Sequence, residues 1–506
     1  MLDINMTIYN YMRAYKKKGD SVAVILGRKQ LKFEKFFEEI DRVAGGLYAL
    51  GIRRGDVCMT ALPNILQHVV LVYALSRIGA VVAVVHPLMT EAGFKDLYNL
   101  QKPKAVFLSD INFTKLGKIA KDSKTVFCSY VVYSYTGLPN SKYFEPYDGD
   151  GQEPVFYMHS GGTTGAPKTV VLSSKAVNAL ARNILEAFDG KHNEDCAMLV
   201  TLPLFHGFGM CVGVHASLCS NMKVVLLPSF SGKRALKAIV KNKVTDMIAV
   251  PRMLVKLLRQ NGFEGKNIAS LKDIYVGGDS INPSVIQQFN LRMEQAKSKG
   301  KLHSGYGLTE VGSCVAVEHH GYKSGTVGRM LPNMEALVAT ENCAPQKNGE
   351  VGELLIGGDQ LMTCYLGDDK LTSEVFCEID GKRYLKTGDY FSQDDDGFLT
   401  YKGRKKRLIK ISGVNVFPLE IERVAKELPF VGECVAYEVK KDGKTFSRLA
   451  VEGELTDTQK SQIEARIKAQ LTHWHIPSGI DCVAKLPRTD IGKIDFKRVE
   501  NELKKN

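Results

Sequence analysis

The sequence predicts a layered α/β body followed by a smaller α+β domain. Helical patterns alternate with short Val/Ile/Ala-rich runs from the N-terminus to Leu227, closely spaced turn signals follow from about Gly325 to Tyr401, and a charged boundary comes next. The most apolar stretch, Val69–Val85, is interrupted by Ser76-Arg77 and Gly79. It reads as a buried helix over His68–Leu75 feeding a buried strand over Ala80–Val85, not as a membrane span. Further strands are expected at Ala105–Leu108, Ala197–Leu202, Val224–Leu227, Ile248–Val250 and Ile274–Val276, in largely parallel sheets. Asn348-Gly349, Asp380-Gly381 and Asp396-Gly397 then mark hairpins, as in a small antiparallel β-barrel. The boundary at Asp394–Gly397 and Gly403–Arg407 gives two domains, 1–402 and 403–506.

A chain of 506 residues exceeds what one core usually organises. Its 44% hydrophobic and 24% charged residues describe a soluble globular protein. The formal charge of +13 suits anionic ligands, and lysine-rich faces that aid solubility account for it equally well. The basic residues gather into no arm or aromatic-interleaved stripe, which argues against nucleic acid as a partner. Eleven cysteines without a C-x-x-C pair read as reduced thiols of a cytoplasmic protein. Met1–Asn5 lacks a basic start followed by an apolar run, so neither a signal peptide nor an integral membrane segment is expected.

The chemistry concentrates in His159-Ser160-Gly161-Gly162-Thr163-Thr164-Gly165-Ala166-Pro167-Lys168. Three glycines let backbone N–H groups turn inward around an anion, Ser160, Thr163 and Thr164 add hydroxyl donors, and Lys168 adds a positive charge. A Walker A loop requires Gly directly before its Lys, and Pro167 stands there with no N–H to give. By composition alone the segment is as consistent with a surface turn as with a nucleotide loop.

Four strings downstream break that tie: Gly305-Tyr306-Gly307-Leu308-Thr309-Glu310, Lys386-Thr387-Gly388-Asp389, Gly403-Arg404 and Pro487-Arg488-Thr489-Asp490-Ile491-Gly492-Lys493-Ile494-Asp495. With the glycine loop they resemble, in identity and order, the signatures of the adenylate-forming superfamily. That superfamily includes acyl- and aryl-CoA ligases, peptide-synthetase adenylation domains and firefly luciferase. The resemblance runs from about Leu31 to Lys493. It implies a large N-terminal body and a mobile C-terminal lid, with Lys406 at the hinge position.

The resemblance also implies roles. Ser160, Gly161, Gly162, Thr163, Thr164, Gly165 and Lys168 would hold the phosphates of ATP. Glu310 would contact Mg²⁺, which takes few carboxylates beside phosphate oxygens and water. Thr309 would address the α-phosphate or the metal, Tyr306 with Gly307 would pack on the adenine, and Gly278-Asp279 would form the adenine-side loop. Asp389 would accept from both ribose hydroxyls, and Arg404 would reach the ribose or the phosphates. Lys493 would touch the substrate carboxylate and the departing phosphate oxygen. Lys410, Ser412 and Gly413 would line the site in the second half-reaction, with Gly413 admitting the pantetheine arm of CoA.

His206, in Pro203-Leu204-Phe205-His206-Gly207-Phe208-Gly209-Met210, resembles the histidine beside the carboxyl group in the CoA-ligase and luciferase branch. No acidic residue stands there for an α-ammonium group, and an apolar site could not hold an unpaired one cheaply. Phe205, Gly209, Gly277, Gly305 and Val311 are apolar or small and suggest a pocket for a fatty, aryl or polycyclic acid. Thr169 departs from the family, which usually has Gly after this lysine. The expected activity is an AMP-forming carboxylic acid–CoA ligase using ATP, Mg²⁺ and CoA, with a homodimer among the assemblies allowed. An adenylating enzyme that loads a separate carrier protein is the alternative. A non-catalytic nucleotide-binding protein fits poorly with retained Lys493, Glu310, Asp389 and Lys410.

Overall fold

The computed structural model describes residues 2–15, 19–129, 131–160, 168–279, 281–441, 443–488 and 494–503. The chain divides into two compact units. One comprises residues 1–161, 166–335 and 356–385, and the other 162–165, 336–355 and 386–506.

The larger unit is built on two sheets. The run Val69–Val85 resolves as expected into a helix, Leu66–Arg77, and a strand, Val81–Val84, both buried. That strand lies between Val57–Thr60 and Pro154–Ser160 in an eight-stranded sheet, parallel to each. Pro154–Ser160 returns antiparallel as Lys168–Ser173, and Cys364–Tyr365 adds the edge. The second sheet has nine strands. Its centre runs Lys301–Tyr306, Asp273–Val276, Asp246–Ala249, Ala197–Val200, Lys223–Leu226, all parallel. Strands buried on both faces need apolar side chains on both, which is why Ala197–Val200 and Val224–Leu226 read as continuous apolar runs. Helices such as Gly232–Asn242 and Pro251–Leu258 cover one face with Ala235, Ile239, Leu254 and Leu257.

Between Met334 and Arg404 the turn signals act as expected: Asp380 and Gly381 both have positive φ and join Phe376–Ile379 to Lys382–Gln393. The expected small barrel is an open, five-stranded half-barrel. Its long strand, Lys382–Gln393, pairs with Phe376–Ile379 along one part and with Leu399–Arg404 along another, and among the described residues the first and last strands do not pair.

Within the second unit, Cys434–Lys441, Lys444–Glu452 and Ile480–Val483 form a sheet covered on both faces. Cys434 and Ala436 point into one cluster with Ile421, Ile463 and Ile467, while Val435 and Tyr437 point into another with Leu486 and Val499. That alternation is the period of a strand. Among the described residues, no helix is long and apolar enough to cross a membrane.

Candidate active site

The strands that enter and leave the glycine-rich loop fix its ends. Ser160 and Lys168 are the last register partners of an antiparallel pair, one on each side of the glycine-rich segment. Gly161, Gly162, Thr163, Thr164 and Gly165 lie outside the described residues. One pair lower in the stem, Thr169 faces His159, with its hydroxyl 3.3 Å from Nδ1. The Gln101 amide reaches the same hydroxyl from the end of a helix. Burial pushes the His159 imidazole down to about 4, so it is neutral at pH 7.

The Gly305–Glu310 string ends a strand and starts a short 3₁₀ turn, Thr309–Val311. Gly307 is required there by contact: a Cβ on it would sit 1.3 Å from the Ser313 carbonyl oxygen. Tyr306 and Thr309 are half-buried, whereas Val311 has no exposed surface. Glu310 accepts a hydrogen bond from the Tyr365 hydroxyl at 2.7 Å, and its backbone carbonyl accepts from Met362 N–H. The Lys168 ammonium lies 4.8 Å from the centroid of the same Tyr365 ring. Residues far apart in sequence therefore meet on one phenol. The sequence reading missed Tyr365, which the structure sets in a short strand beside the loop stem.

His206 is exposed at the entrance to a π-helical segment, Phe208–Ala216. Its Nδ1 accepts the Phe208 N–H at 3.1 Å, which puts the proton of the neutral ring on Nε2. A Cβ on Gly207 would lie 2.4 Å from the Gly312 carbonyl oxygen, so this turn packs against the Gly305–Ser313 segment. Phe205 stacks at a tilt on His86, 4.6 Å between centroids. Sequence reasoning gave no part to His86, whose Nδ1 accepts from Leu88 N–H. A Cβ on Gly277 would meet the Gly305 carbonyl and the Phe208 ring at contact distance. Gly209 packs instead on the Pro203 carbonyl, where a Cβ would come within 2.2 Å. Gly278 has φ +83° and Asp279 is exposed beside it.

In the second unit, Asp389 and Arg404 are register partners across an antiparallel pair, with Arg404 Nε 3.9 Å from Asp389 Oδ1. Asp389 N–H donates to Thr387 Oγ1, and Gly388 N–H to buried Glu353, which also pairs with Lys405. Lys406 is exposed in a 3₁₀ turn, Lys405–Arg407, inside the 386–506 segment of this unit. Lys410 is exposed in a hairpin whose turn, Ser412-Gly413, has positive φ at both positions. Lys493 lies outside the described residues. Its flanks are a β-bridge between Arg488 and Ile494.

Comparison with known proteins gives the same direction. Residues 12–366 match the model of the family described as AMP-binding enzyme. A probable CoA ligase, CCL5, from Humulus lupulus is 29% identical over 97% of this chain and 91% of its own length. A long-chain-fatty-acid–CoA ligase from Bacillus subtilis (strain 168) is 26% identical over 96% of this chain and 92% of its own. The crystal structure of ATP-bound MatB from Rhodopseudomonas palustris superposes with a TM-score of 0.88 over 99% of both chains, at 19% identity.

Proposed function

The chain belongs to the AMP-binding enzyme family, and on that premise we propose that it is an AMP-forming carboxylic acid–CoA ligase. A carboxylate is a poor electrophile, because its charge repels nucleophiles and its oxygen leaves badly. Joining it to AMP, with pyrophosphate expelled, removes the charge and supplies a good leaving group. The CoA thiol then displaces AMP to form a thioester. Holding two anions together calls for cations and fixed donors aimed at the developing charge.

The observation that carries this reading is the meeting of Lys168 and Glu310 on Tyr365 at the stem of the glycine loop. Lys168 supplies positive charge to the phosphates. Glu310 is an oxygen donor of the kind Mg²⁺ takes, and that ion would neutralise phosphate charge when bound. His206, with its proton on Nε2, can donate to the oxygen of a substrate carboxylate. Phe205, Phe208 and Gly277 offer apolar surface for a fatty, aryl or polycyclic acid. Asp389 and Arg404 would take the ribose. Lys493 would serve adenylation and the Lys410–Gly413 hairpin thioester formation, with a rotation of residues 403–506 about Lys406 between the two. A cytoplasmic location suits eleven free cysteines, and a homodimer is the assembly that sedimentation would test.

Acid-dependent exchange of labelled pyrophosphate into ATP tests the first half-reaction, and thioester formation on CoA tests the second. No exchange with any hydrophobic acid would overturn the proposal. Exchange without thioester on CoA, but with acyl transfer to a carrier protein, would replace it by the carrier-loading enzyme.

A further inference from the structure

Lys168 and Glu310 carry opposite charges and approach the same side chain, yet among the described residues they form no ion pair with each other. Tyr365 is the side chain they share. It is 5% exposed and held by its strand, whose backbone pairs with Val170. Its ring face receives the Lys168 ammonium and its hydroxyl donates to one oxygen of Glu310.

We infer that Tyr365 is a positioning residue that keeps the loop lysine and the metal-binding carboxylate from neutralising one another before nucleotide arrives. A cation over an aromatic face is held without being discharged. A carboxylate with one oxygen occupied by a hydroxyl keeps its charge and presents the other oxygen in a fixed direction. Without the phenol, a flexible lysine and a nearby carboxylate would pair directly. ATP and its metal would then have to break that pair before binding. This inference rests on the reading of Lys168 and Glu310 given above and adds the residue that keeps both available.

The test uses the full-length enzyme and measures binding without any acid present. Mn²⁺ bound to the enzyme with a non-hydrolysable ATP analogue is followed by EPR, and analogue affinity by calorimetry. Tyr365→Phe keeps the ring and removes the hydroxyl. It should weaken Mn²⁺ binding about tenfold, as loss of one hydrogen bond to a charged group implies, and leave analogue affinity without metal nearly unchanged. Tyr365→Ala should weaken both. Adding Glu310→Gln to Tyr365→Ala should restore metal-free analogue affinity, because Lys168 would lose its competing partner. Unchanged Mn²⁺ binding in Tyr365→Phe would overturn the proposal. So would a folded Tyr365→Ala, Glu310→Gln double variant that binds the analogue no better than Tyr365→Ala. Melting curves establish folding, and if the alanine variants unfold, Tyr365→Phe alone decides. Failure of the parental enzyme to exchange pyrophosphate would count against the ligase reading, separately from these binding results.

Discussion

The Thr169 hydroxyl lies 3.3 Å from Nδ1 of His159, its partner across the stem of the glycine-rich hairpin. Thr169 stands where the resemblance has glycine, so this stem carries an anchor that a glycine could not supply. Gln101 donates to the same hydroxyl, which leaves the hydroxyl proton for neutral His159. Thr169→Val keeps the shape and strips two buried polar groups of their partner, at a cost of about 1–3 kcal/mol. Its melting temperature should fall and its KM for ATP rise severalfold, while Thr169→Ser should stay near the parent in both.

Lys493→Ala should nearly abolish adenylation and spare thioester formation from supplied acyl-adenylate. Loss of one preorganised charge contact costs about 10²–10³ in rate. Equal losses in both half-reactions, or an unchanged first one, would mark Lys493 as structural.

Hydrophobic carboxylic acids should support pyrophosphate exchange and free α-amino acids should not, since the Phe205–Met210 turn contains no carboxylate for an ammonium group. Robust exchange with a proteinogenic amino acid, scored against a panel of fatty and aryl acids, would sink the CoA-ligase assignment.

Lys406→Pro would fix φ near −65° and restrict the residue before it. Exchange should survive and thioester formation slow sharply, provided that φ suits the adenylating arrangement. A folded variant that makes thioester at the parental rate would show that rotation about Lys406 is not needed.

Glu318 is 4% exposed, and burial pushes its carboxyl up to about 7 from an unfolded value of 4.5. A raised acid binds more protons folded than unfolded, so it erodes stability as pH climbs from about 4.5 to about 7. Glu318→Gln removes that erosion while its side-chain oxygen still accepts the Ser304 N–H. The variant should melt higher than the parent at pH 8 and close to it at pH 5. Melting curves at the two pH values decide it.

Much of the architecture was legible because buried strands and turns announce themselves locally. Val81–Val84 is buried and apolar on both faces, and Asp380-Gly381 adopts the positive φ values its residues favour. The open half-barrel was not legible, since whether a last strand finds the first depends on strand number and tilt rather than on any one segment. In the site, motif residues such as Glu310 and Asp389 were readable as strings. Tyr365 and His86 were not, because each matters through a partner distant in sequence and neither sits in a recognisable string. Gly209, in a string the sequence singled out, is closely packed, since a Cβ on it would come within 2.2 Å of the Pro203 carbonyl.

The crowding at Gly307 bears on how tolerance maps of this chain should be interpreted. Because any side chain there would strike the Ser313 carbonyl, a mutational screen scored by growth or product will flag position 307 as strongly as a residue that handles nucleotide. The two kinds of intolerance separate only when abundance is scored beside activity. Substitutions at Gly307 should deplete the folded protein itself, whereas a loss at Glu310 should leave the amount of protein intact and remove its turnover.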